Sequence, residues 1–353
     1  MFEVLTKWYR RYLFDEESIL LLIMLALGLI LLNYVGDILA PLLVSIVLAY
    51  LMQGVANTLR GKGLAKWIAV TLAFLLFMGG FLGSTLLLLP LVWRQLGSLV
   101  RELPGILDRV REFLNVLPTE YPTLVNTDQL NGVIEMARAE IGQFGQIVIT
   151  KSLAGLPGLL TLGIYLILIP ILVFFLLKDR DEILNWFASF LPSERPLLKR
   201  IWTEMDDQMS NYVRGKVVEI IIVGGISYVC FAWLGLSYAA LLGLLVGLSV
   251  IIPYIGAVLV TIPVAAVGFI QWGLYEPFYY VMAAYVVIQV LDGNVLVPLL
   301  FSEAVNLHPV AILLAVIFFG GVWGVPGVFF AIPLATLVKA VINAWPAPSE
   351  SQV

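Results

Sequence analysis

The sequence predicts an all-α polytopic membrane protein with about eight membrane segments, two of them Gly/Pro-broken helical hairpins, plus a projecting helical hairpin. Hydrophobic residues make up 61% of the 353 residues and charged residues 12%, where a soluble domain carries roughly a quarter. Apolar runs long enough to cross a bilayer recur along the chain, and one polar stretch of helical period interrupts them. Together these observations predict the fold class.

Composition and cysteine content exclude several classes of function. The net charge is only −4 and is spread over loops, and no basic cluster of the kind that nucleic acid requires is present. Cys230 is the only cysteine and lies in an apolar run, which excludes disulfide frameworks, CxxC redox motifs and thiolate metal sites. We therefore expect no nucleic-acid partner, no cofactor and no metal site.

Residues 1–93 are predicted to form three transmembrane helices. The apolar runs are each near the length that crosses a bilayer, and they cover about 18–35, 38–55 and 67–92. A short turn is expected at Gly36 and Asp37, between the first two runs. Basic and aromatic residues precede the first run, and the loop at residues 60–66 is basic without any acid. Both features are typical of the cytoplasmic side, which places the amino terminus inside.

Residues 94–152 form the polar stretch. Apolar side chains recur through both of its halves at alternating steps of three and four, and a Pro-containing turn separates the halves. This pattern predicts an antiparallel helical hairpin that projects from the membrane on the periplasmic side. Its apolar seams either pack within the hairpin or mediate self-association, and periodicity alone leaves both open.

A transmembrane helix is predicted at residues 153–177, followed by an amphipathic elbow at residues 178–215. Aliphatic and aromatic side chains recur at helical spacing on otherwise polar segments of the elbow, as in helices that lie in the membrane interface. Its basic residues place it on the cytoplasmic side. Arg214 and Lys216, where the elbow closes, are expected to snorkel to lipid phosphate, and Arg214 is also a possible pathway residue.

Residues 216–345 form a predicted transport core with an internal repeat, before a disordered tail at 346–353. Each unit contains a span, a Leu-led helix, a Gly/Pro break and an Ile-Pro pair. Four residues of the first unit match the same residue type 71 positions later. Opposite entry of the two broken hairpins would make an inverted repeat, in which secondary transporters hold substrate near the midplane. Whether the hairpins are re-entrant or cross fully is left open.

Asp292 is the leading candidate for a functional residue in this core. It follows an 11-residue, largely apolar run, and residues 217–338 contain no Lys or Arg, so we expect it to have no basic partner nearby. Intramembrane acids commonly line a cavity or a pathway, so we interpret Asp292 as an ion- or proton-coupling carboxylate. Gln289 and Asn294 are its expected polar neighbours. The structural alternative is that Asp292 caps or breaks a helix near the interface.

The two Gly/Pro breaks are expected to complete the pathway. Glycine allows close backbone approach, so the breaks are interpreted as moving or gating parts. Replacing Gly256 or Gly327 by Leu is then expected to impair flux more than folding. The candidate residues of the breaks are Gly256, Pro253, Gly320, Gly321, Gly324, Pro326 and Gly327.

Two further acid–base residues lie in the second unit, after its span. His308 either titrates near neutral pH or has a local role at a Pro-led helix start. Glu303 is either a second pathway acid or part of a loop at headgroup level.

Six short runs of the chain resemble, in order, the signature runs of the autoinducer-2 exporter family, and within it the PerM-type permeases. They are Phe174-Phe-Leu-Leu-Lys-Asp179, Asn211-Tyr-Val-Arg-Gly-Lys216, Ile252-Pro-Tyr-Ile-Gly256, Leu291-Asp-Gly-Asn-Val-Leu-Val-Pro298, Asn306-Leu-His-Pro309 and Phe329-Phe-Ala-Ile-Pro333. The resemblance implies an inner-membrane protein of Gram-negative bacteria that is often oligomeric. It also implies export of autoinducer-2 in some members and exchange of sodium or lithium for protons in others.

The leading functional hypothesis is an inner-membrane secondary transporter or permease with both termini in the cytoplasm. It would move a small polar solute, such as autoinducer-2, or a cation, coupled if at all to protons or sodium, and would form a homo-oligomer in the bilayer. No nucleotide-binding motif is present, and a single histidine without HExxH or GxSxG motifs disfavours an enzyme. The alternative is a non-transporting scaffold or regulator of a partner, for which the projecting hairpin is the best feature.

Overall fold

The computed structural model describes residues 16–114, 155–192, 195–301 and 307–344, with isolated helical positions at residues 132, 135, 136 and 139. Every regular element in these ranges is helical. The helices are α1 (Glu16–Gly61), α2 (Lys66–Gly83), π1 (Ser84–Leu88), α3 (Leu89–Leu114), α4 (Gly155–Lys178), α5 (Arg180–Ala188), α6 (Pro196–Trp233), α7 (Ala239–Ser249), α8 (Ile255–Trp272), α9 (Glu276–Leu291), π2 (Asp292–Leu296), α10 (Val297–Phe301), α11 (Pro309–Trp323), α12 (Val325–Phe329) and α13 (Ala331–Ala344).

Within the described ranges, five segments are long and apolar enough to cross a membrane. They are Ile38–Gly61, Lys66–Glu102, Pro196–Trp233, Ile255–Trp272 and Glu276–Phe301. Shorter apolar helices, including α7 and α11, accompany them. The predicted class, an all-α polytopic membrane protein, is confirmed. The count of eight segments and the inverted orientation of the repeat stay predictions.

The turn predicted at Gly36 and Asp37 is wrong, because α1 continues through both residues as one helix of 46 residues. A single glycine costs a helix only about 1 kcal/mol, and the apolar neighbours on both sides continue the helix. At about 1.5 Å per residue α1 is roughly 69 Å long, more than twice a hydrocarbon core of about 30 Å. The placement of both chain ends in the cytoplasm therefore stays a prediction.

The projecting segment is continuous with the membrane helix before it. α2, π1 and α3 follow one another without a break, so the boundary predicted at residue 93 falls inside a helix. Gln95 of α3 accepts a hydrogen bond at its Oε1 from the backbone N–H of Leu241, 2.8 Å away in the first turn of α7. This bond ties the start of the predicted hairpin to the core. Residues 115–152 of the predicted hairpin lie outside the described residues, apart from the four isolated helical positions.

The elbow is likewise continuous with the first span of the predicted core. α4 ends at Lys178, close to the predicted end of its span, and the short helix α5 follows. α6 then runs from Pro196 to Trp233, through the boundary predicted at residues 215–216. Gly215 lies inside this continuous helix. It provides room for the ring of Phe301, because a Cβ at this position would lie 2.7 Å from the ring.

Close contacts between glycines and backbone hold α7 to α6 within the first repeat unit. A Cβ at Gly247 would lie 2.8 Å from the carbonyl oxygen of Ile220, and a Cβ at Gly243 would lie 2.8 Å from the backbone of Tyr228. Small residues at such positions allow membrane helices to pack at short distance. The main apolar core lies around this contact and includes Phe231.

Both predicted breaks are present. The first separates α7 from α8 at residues 250–254, where Tyr254 has a positive φ of 62°. The second comprises residues 324–330, where Gly324 separates α11 from the short helix α12 and a turn at Phe330 leads into α13. The core is thus built from α6, two broken segments and the helix α9 between them.

Candidate functional site

Asp292 lies where α9 changes into the π-helical turn π2. Such turns are rare in proteins, and those that occur are often found at functional sites, because they redirect side chains out of the regular α-helical order. The Oδ1 atom of Asp292 is buried and has no hydrogen-bond partner within the part of the chain that the structure describes. The arrangement does not match a helix cap, since the helix continues beyond Asp292 through π2 into α10.

Lys216 and Glu219 form a buried ion pair on α6. The Lys216 Nζ atom lies 2.8 Å from Glu219 Oε2, and their side chains are only 5% and 2% exposed. Lys216 Nζ also donates a hydrogen bond to the carbonyl oxygen of Val250, 2.8 Å away in the first break. It lies 5.3 Å from the centre of the Phe301 ring. A carboxylate, a carbonyl and an aromatic face therefore replace water around the ammonium.

These contacts overturn two predictions from the sequence. Lys216 does not snorkel to lipid phosphate, because its side chain points into the helix bundle. Asp292 is not without a basic neighbour, since it interacts electrostatically with both Lys216 and Glu219. Packing of π2 against α6 brings together groups that are more than 70 positions apart in the sequence. We call Lys216, Glu219 and Asp292 the charged triad.

A chain of polar groups also lies on α9, in the two turns before Asp292. Gln289 has a buried Nε2 atom without a hydrogen-bond partner in the described ranges, and its side chain lies beside the hydroxyl of Tyr285. Tyr285 donates to the carbonyl oxygen of Ala257 at 2.7 Å, and its hydroxyl lies 2.9 Å from Thr261 Oγ1. These polar groups thus link Gln289 on α9 to α8, and the role of Gln289 as a neighbour of Asp292 stays a prediction.

Asn294 does not join this group. Its side chain is exposed and donates a hydrogen bond to the carbonyl oxygen of Val290, 2.9 Å away on its own helix. Gly293, between the two polar residues, has nothing near the position of a Cβ. The sequence expectation that Asn294 is a polar neighbour of Asp292 is therefore wrong, since only their positions along the chain are close.

The two breaks hold a matched pair of glycines. A Cβ on Gly256 would lie 1.8 Å from the carbonyl oxygen of Ser249, and a Cβ on Gly327 would lie 1.9 Å from that of Phe319. The predicted close backbone approach is found at both. The expectation that Leu at these positions would spare folding is wrong, because any side chain would collide with backbone.

The other candidates in the breaks have different surroundings. Gly320 packs against a methyl group of Val328, whereas Gly321 and Gly324 have no atoms near the position that a Cβ would occupy, and Gly324 instead adopts a φ of 64°. The predicted close backbone approach is therefore wrong for Gly321 and Gly324. The prolines mark the turns themselves. The Pro253 carbonyl accepts from the N–H of Ile255 at 2.7 Å, and the Pro326 carbonyl accepts from the N–H of Phe330 at 3.0 Å.

α6 binds both breaks through side chains one turn apart. Tyr212 donates a hydrogen bond to the carbonyl oxygen of Phe329, 2.8 Å away in the second break, and Lys216 makes the equivalent bond to Val250 in the first. Both side chains are buried. Residues at i and i+4 share a helix face, so one face of α6 contacts both broken segments.

The remaining candidates lie away from the triad. His308 is exposed and lies at the start of α11. Its Nδ1 atom accepts a hydrogen bond from the backbone N–H of Val310, 3.3 Å away. This position agrees with a local role. Glu303 lies outside the described residues. Arg214 is two residues from Lys216 on α6, so it points to the nearly opposite side of the helix, into a polar cavity.

Comparisons with known proteins agree along the whole chain. Residues 19–347 match the AI-2E family transporter. PerM of Escherichia coli (strain K12) is 47% identical over 346 residues, which cover 98% of each chain. YueF of Bacillus subtilis (strain 168) is 27% identical over 87% of this chain and 84% of its own length. The AI-2 transport protein TqsA of E. coli (strain K12) is 25% identical over 93% and 92%. On this evidence the chain belongs to the AI-2E family of membrane transporters.

Proposed function

We propose that this chain is a secondary transporter in which the charged triad is the exchange site for one positive charge, a proton or a monovalent cation. It would move a cation or a small polar solute across the bacterial inner membrane. The observation that carries the proposal is the buried Lys216–Glu219 pair beside Asp292, whose Oδ1 atom has no partner among the described residues.

The charges of the triad explain why one positive charge is needed. With every group ionised, two carboxylates face a single ammonium, which leaves one negative charge uncompensated. Removing such a charge from water costs several kcal/mol, so the triad is favourable when a proton or a cation neutralises the second carboxylate. Lys216 supplies the first positive charge, and the transported or coupling ion supplies the second.

The contact between Lys216 and the first break couples this charge to a structural element that can move. The Val250 carbonyl that accepts from Lys216 lies in the break between α7 and α8. Broken helices of this kind bind ions and substrates in secondary transporters, because unwound backbone offers free carbonyl groups. Neutralisation of the triad changes how strongly Glu219 and Asp292 compete with Val250 for the ammonium, and thereby how firmly the break is held.

The test uses the purified full chain in liposomes that contain a pH-sensitive dye. Gradients of Na⁺, Li⁺ and K⁺ are imposed in turn, and autoinducer-2 is included among the solutes tested. Asp292→Asn is expected to abolish coupled flux while expression and thermal stability stay close to wild type. Glu276→Gln is the matched control, because Glu276 is on the same helix but is bonded to Tyr280 at the other end.

Retained, pH-dependent flux in Asp292→Asn would contradict the proposal. If the folded wild-type protein carried none of the ions or solutes, the alternative of a non-transporting scaffold or partner regulator would be favoured. The homo-oligomeric state that the family resemblance implies is checked on the same sample by mass measurement in detergent.

The proposed location also has a direct test. The basic loop at residues 60–66 favours the cytoplasmic side, and α3 leads away from it. In a Cys230→Ala background, the variants Lys62→Cys and Gly105→Cys are expected to react with an impermeant thiol reagent from opposite sides of inner-membrane vesicles. Reaction from one side only would contradict this topology.

A further inference from the structure

A polar cavity lies beside the transport core, on the face of α6 away from the triad. Its volume is about 330 Å³, and it lies between α1, α2, α4, α5 and α6. Four basic side chains and three carboxylates line it, so the cavity carries a net charge of +1. Its position beside the basic loop at residues 60–66 places it on the predicted cytoplasmic face.

Two ion pairs neutralise part of this charge. Lys66 Nζ lies 2.6 Å from Asp181 Oδ2, and the guanidinium of Arg180 donates to both carboxylate oxygens of Asp206 at 2.9 and 3.1 Å. The hydroxyl of Tyr50 also donates to Asp206, at 2.8 Å. These bonds fix the walls of the cavity and satisfy the side chains that form them.

Two guanidinium groups take no part in these ion pairs. Neither Arg60 nor Arg214 forms an ion pair with any residue that the structure describes, although both line the cavity. Arg214 is held in place by a hydrogen bond to Ser210 and by packing on Gly54 of α1, where a Cβ would lie 2.7 Å from its Nε atom. Asp207 is the only lining acid outside the two pairs.

Exposed aromatic side chains lie close to the cavity. Trp186, Phe187 and Phe190 on and just after α5 are 59%, 59% and 70% exposed, and the Trp186 ring lies 4.9 Å from each of the other two. Trp67, next to Lys66 in the first turn of α2, is 71% exposed. Exposed Trp residues at the ends of membrane helices typically lie at the level of the lipid headgroups, so the cavity opens at that level.

We propose that this cavity binds a phosphate group, with the guanidinium groups of Arg60 and Arg214 as its ligands. Guanidinium forks match phosphate oxygens in geometry and charge, and the net positive charge favours an anion. The aromatic surroundings favour the headgroup of an anionic phospholipid as the source, and a soluble phosphate ester offers the same chemistry. The site is separate from the charged triad, so it goes beyond the proposed transport function.

The experiment measures retention of phosphatidylglycerol by the purified full chain in neutral detergent, using native mass spectrometry. Loss of one charge-assisted contact of about 1.5 to 3 kcal/mol corresponds to at least roughly tenfold weaker binding. Arg60→Gln and Arg214→Gln are each expected to show such a loss. Lys62→Gln is the matched control, because Lys62 is an exposed cation of the same loop that does not line the cavity.

A second variant tests the same site without removing a charge. Gly54→Ala is expected to displace the Arg214 guanidinium and weaken retention, whereas Gly36→Ala, on the same helix with nothing near its Cβ, is expected to leave retention unchanged.

A third variant changes the charge of the cavity in the opposite direction. Asp207→Asn is expected to strengthen retention, since it removes a negative charge from the cavity. Gel filtration and circular dichroism verify that each variant is folded.

Competition identifies the source of the phosphate. If glycerol 3-phosphate or inorganic phosphate binds and depends on Arg60 and Arg214, the ligand is a soluble phosphate compound. If only phosphatidylglycerol binds, with the same dependence, the ligand is a lipid. Equal retention in wild type, Arg60→Gln, Arg214→Gln and Gly54→Ala, or equal losses in these variants and in Lys62→Gln, would overturn the proposal.

Discussion

The two breaks of the core have matched backbones but are held by different chemistry. Gly256 and Gly327 both press against a carbonyl group of the preceding helix, and a Cβ at either position would lie at nearly the same distance from that oxygen. α6 then binds the first break through the ammonium of Lys216 and the second through the phenol of Tyr212. One break is therefore attached to a charged cluster and the other to a neutral hydrogen bond.

This difference separates a fixed contact from a switchable one. A phenol hydrogen bond does not change with the binding of an ion, so the second break stays attached throughout. An ammonium that is paired with Glu219, bonded to a carbonyl and influenced by Asp292 responds to any proton or cation that neutralises a carboxylate. We therefore expect the first break to respond to ion binding and the second to anchor the core.

The largest expected effect comes from removing the ammonium. Lys216→Met leaves Glu219 buried without its partner, and loss of one member of a buried pair costs about 3 to 5 kcal/mol. The free energy of unfolding, measured by SDS titration in mixed micelles, should fall by this amount. The double variant Lys216→Met/Glu219→Leu should recover most of it, because it removes both charges. Equal stability of the single variant and wild type would contradict the role of the pair.

The glycine contacts should have the next largest effect, and it should be the same in both breaks. Gly256→Ala and Gly327→Ala each force a methyl group onto a carbonyl oxygen, and overpacking costs typically about 1 to 3 kcal/mol. Gly321→Ala, which has nothing near its Cβ, is the control and should be close to neutral. Unequal costs would mean that the two breaks are not equivalent, against the proposed repeat.

The phenol bond should have a smaller effect. Tyr212→Phe leaves the Phe329 carbonyl without its side-chain donor, which costs about 1 to 2 kcal/mol. Because the bond is neutral, the variant should lower thermal stability equally at all pH values between 5 and 8 and should leave the coupling of flux to protons unchanged. A shift in the pH dependence of flux would contradict the assignment of the second break as a neutral anchor.

Much of this architecture was predictable, because membrane spans and Gly/Pro breaks have strong local signals. Asp292 stood out as an acid in an apolar run, and Gly256 and Gly327 stood out through the repeat. The turn at Gly36 was wrong, since a Gly-Asp pair without proline does not by itself end a helix whose flanks are apolar.

Lys216 and Glu219 were missed for a different reason. Lys216 follows a charge-rich segment, so a lipid-facing role explained it equally well from sequence alone. Its spacing of three residues from Glu219, an acid at the start of an apolar run, was the signal that could have indicated a pair on one helix face. The electrostatic interaction of this pair with Asp292 depends on how π2 packs against α6, which no local pattern encodes.

The smallest expected effect comes from breaking the ion pair Lys66–Asp181, which is exposed where Lys216–Glu219 is buried. Its charged atoms lie 2.6 Å apart, slightly closer than the 2.8 Å of the Lys216–Glu219 pair, but the side chains are 48% and 64% exposed. Water and salt screen such a pair, so Asp181→Asn should change the free energy of unfolding by less than about 0.5 kcal/mol.

The pH dependence of that small effect has a definite sign. The hydrogen bond from Lys66 lowers the pKa of Asp181 below its ordinary value, so the pair stabilises the fold above that ordinary pKa. Its contribution is lost as the pH falls through the lowered pKa, where the carboxylate becomes protonated. The stability difference between wild type and Asp181→Asn should therefore be largest near neutral pH in low salt. A difference as large as that of Lys216→Met would show that burial is not what distinguishes the two ion pairs.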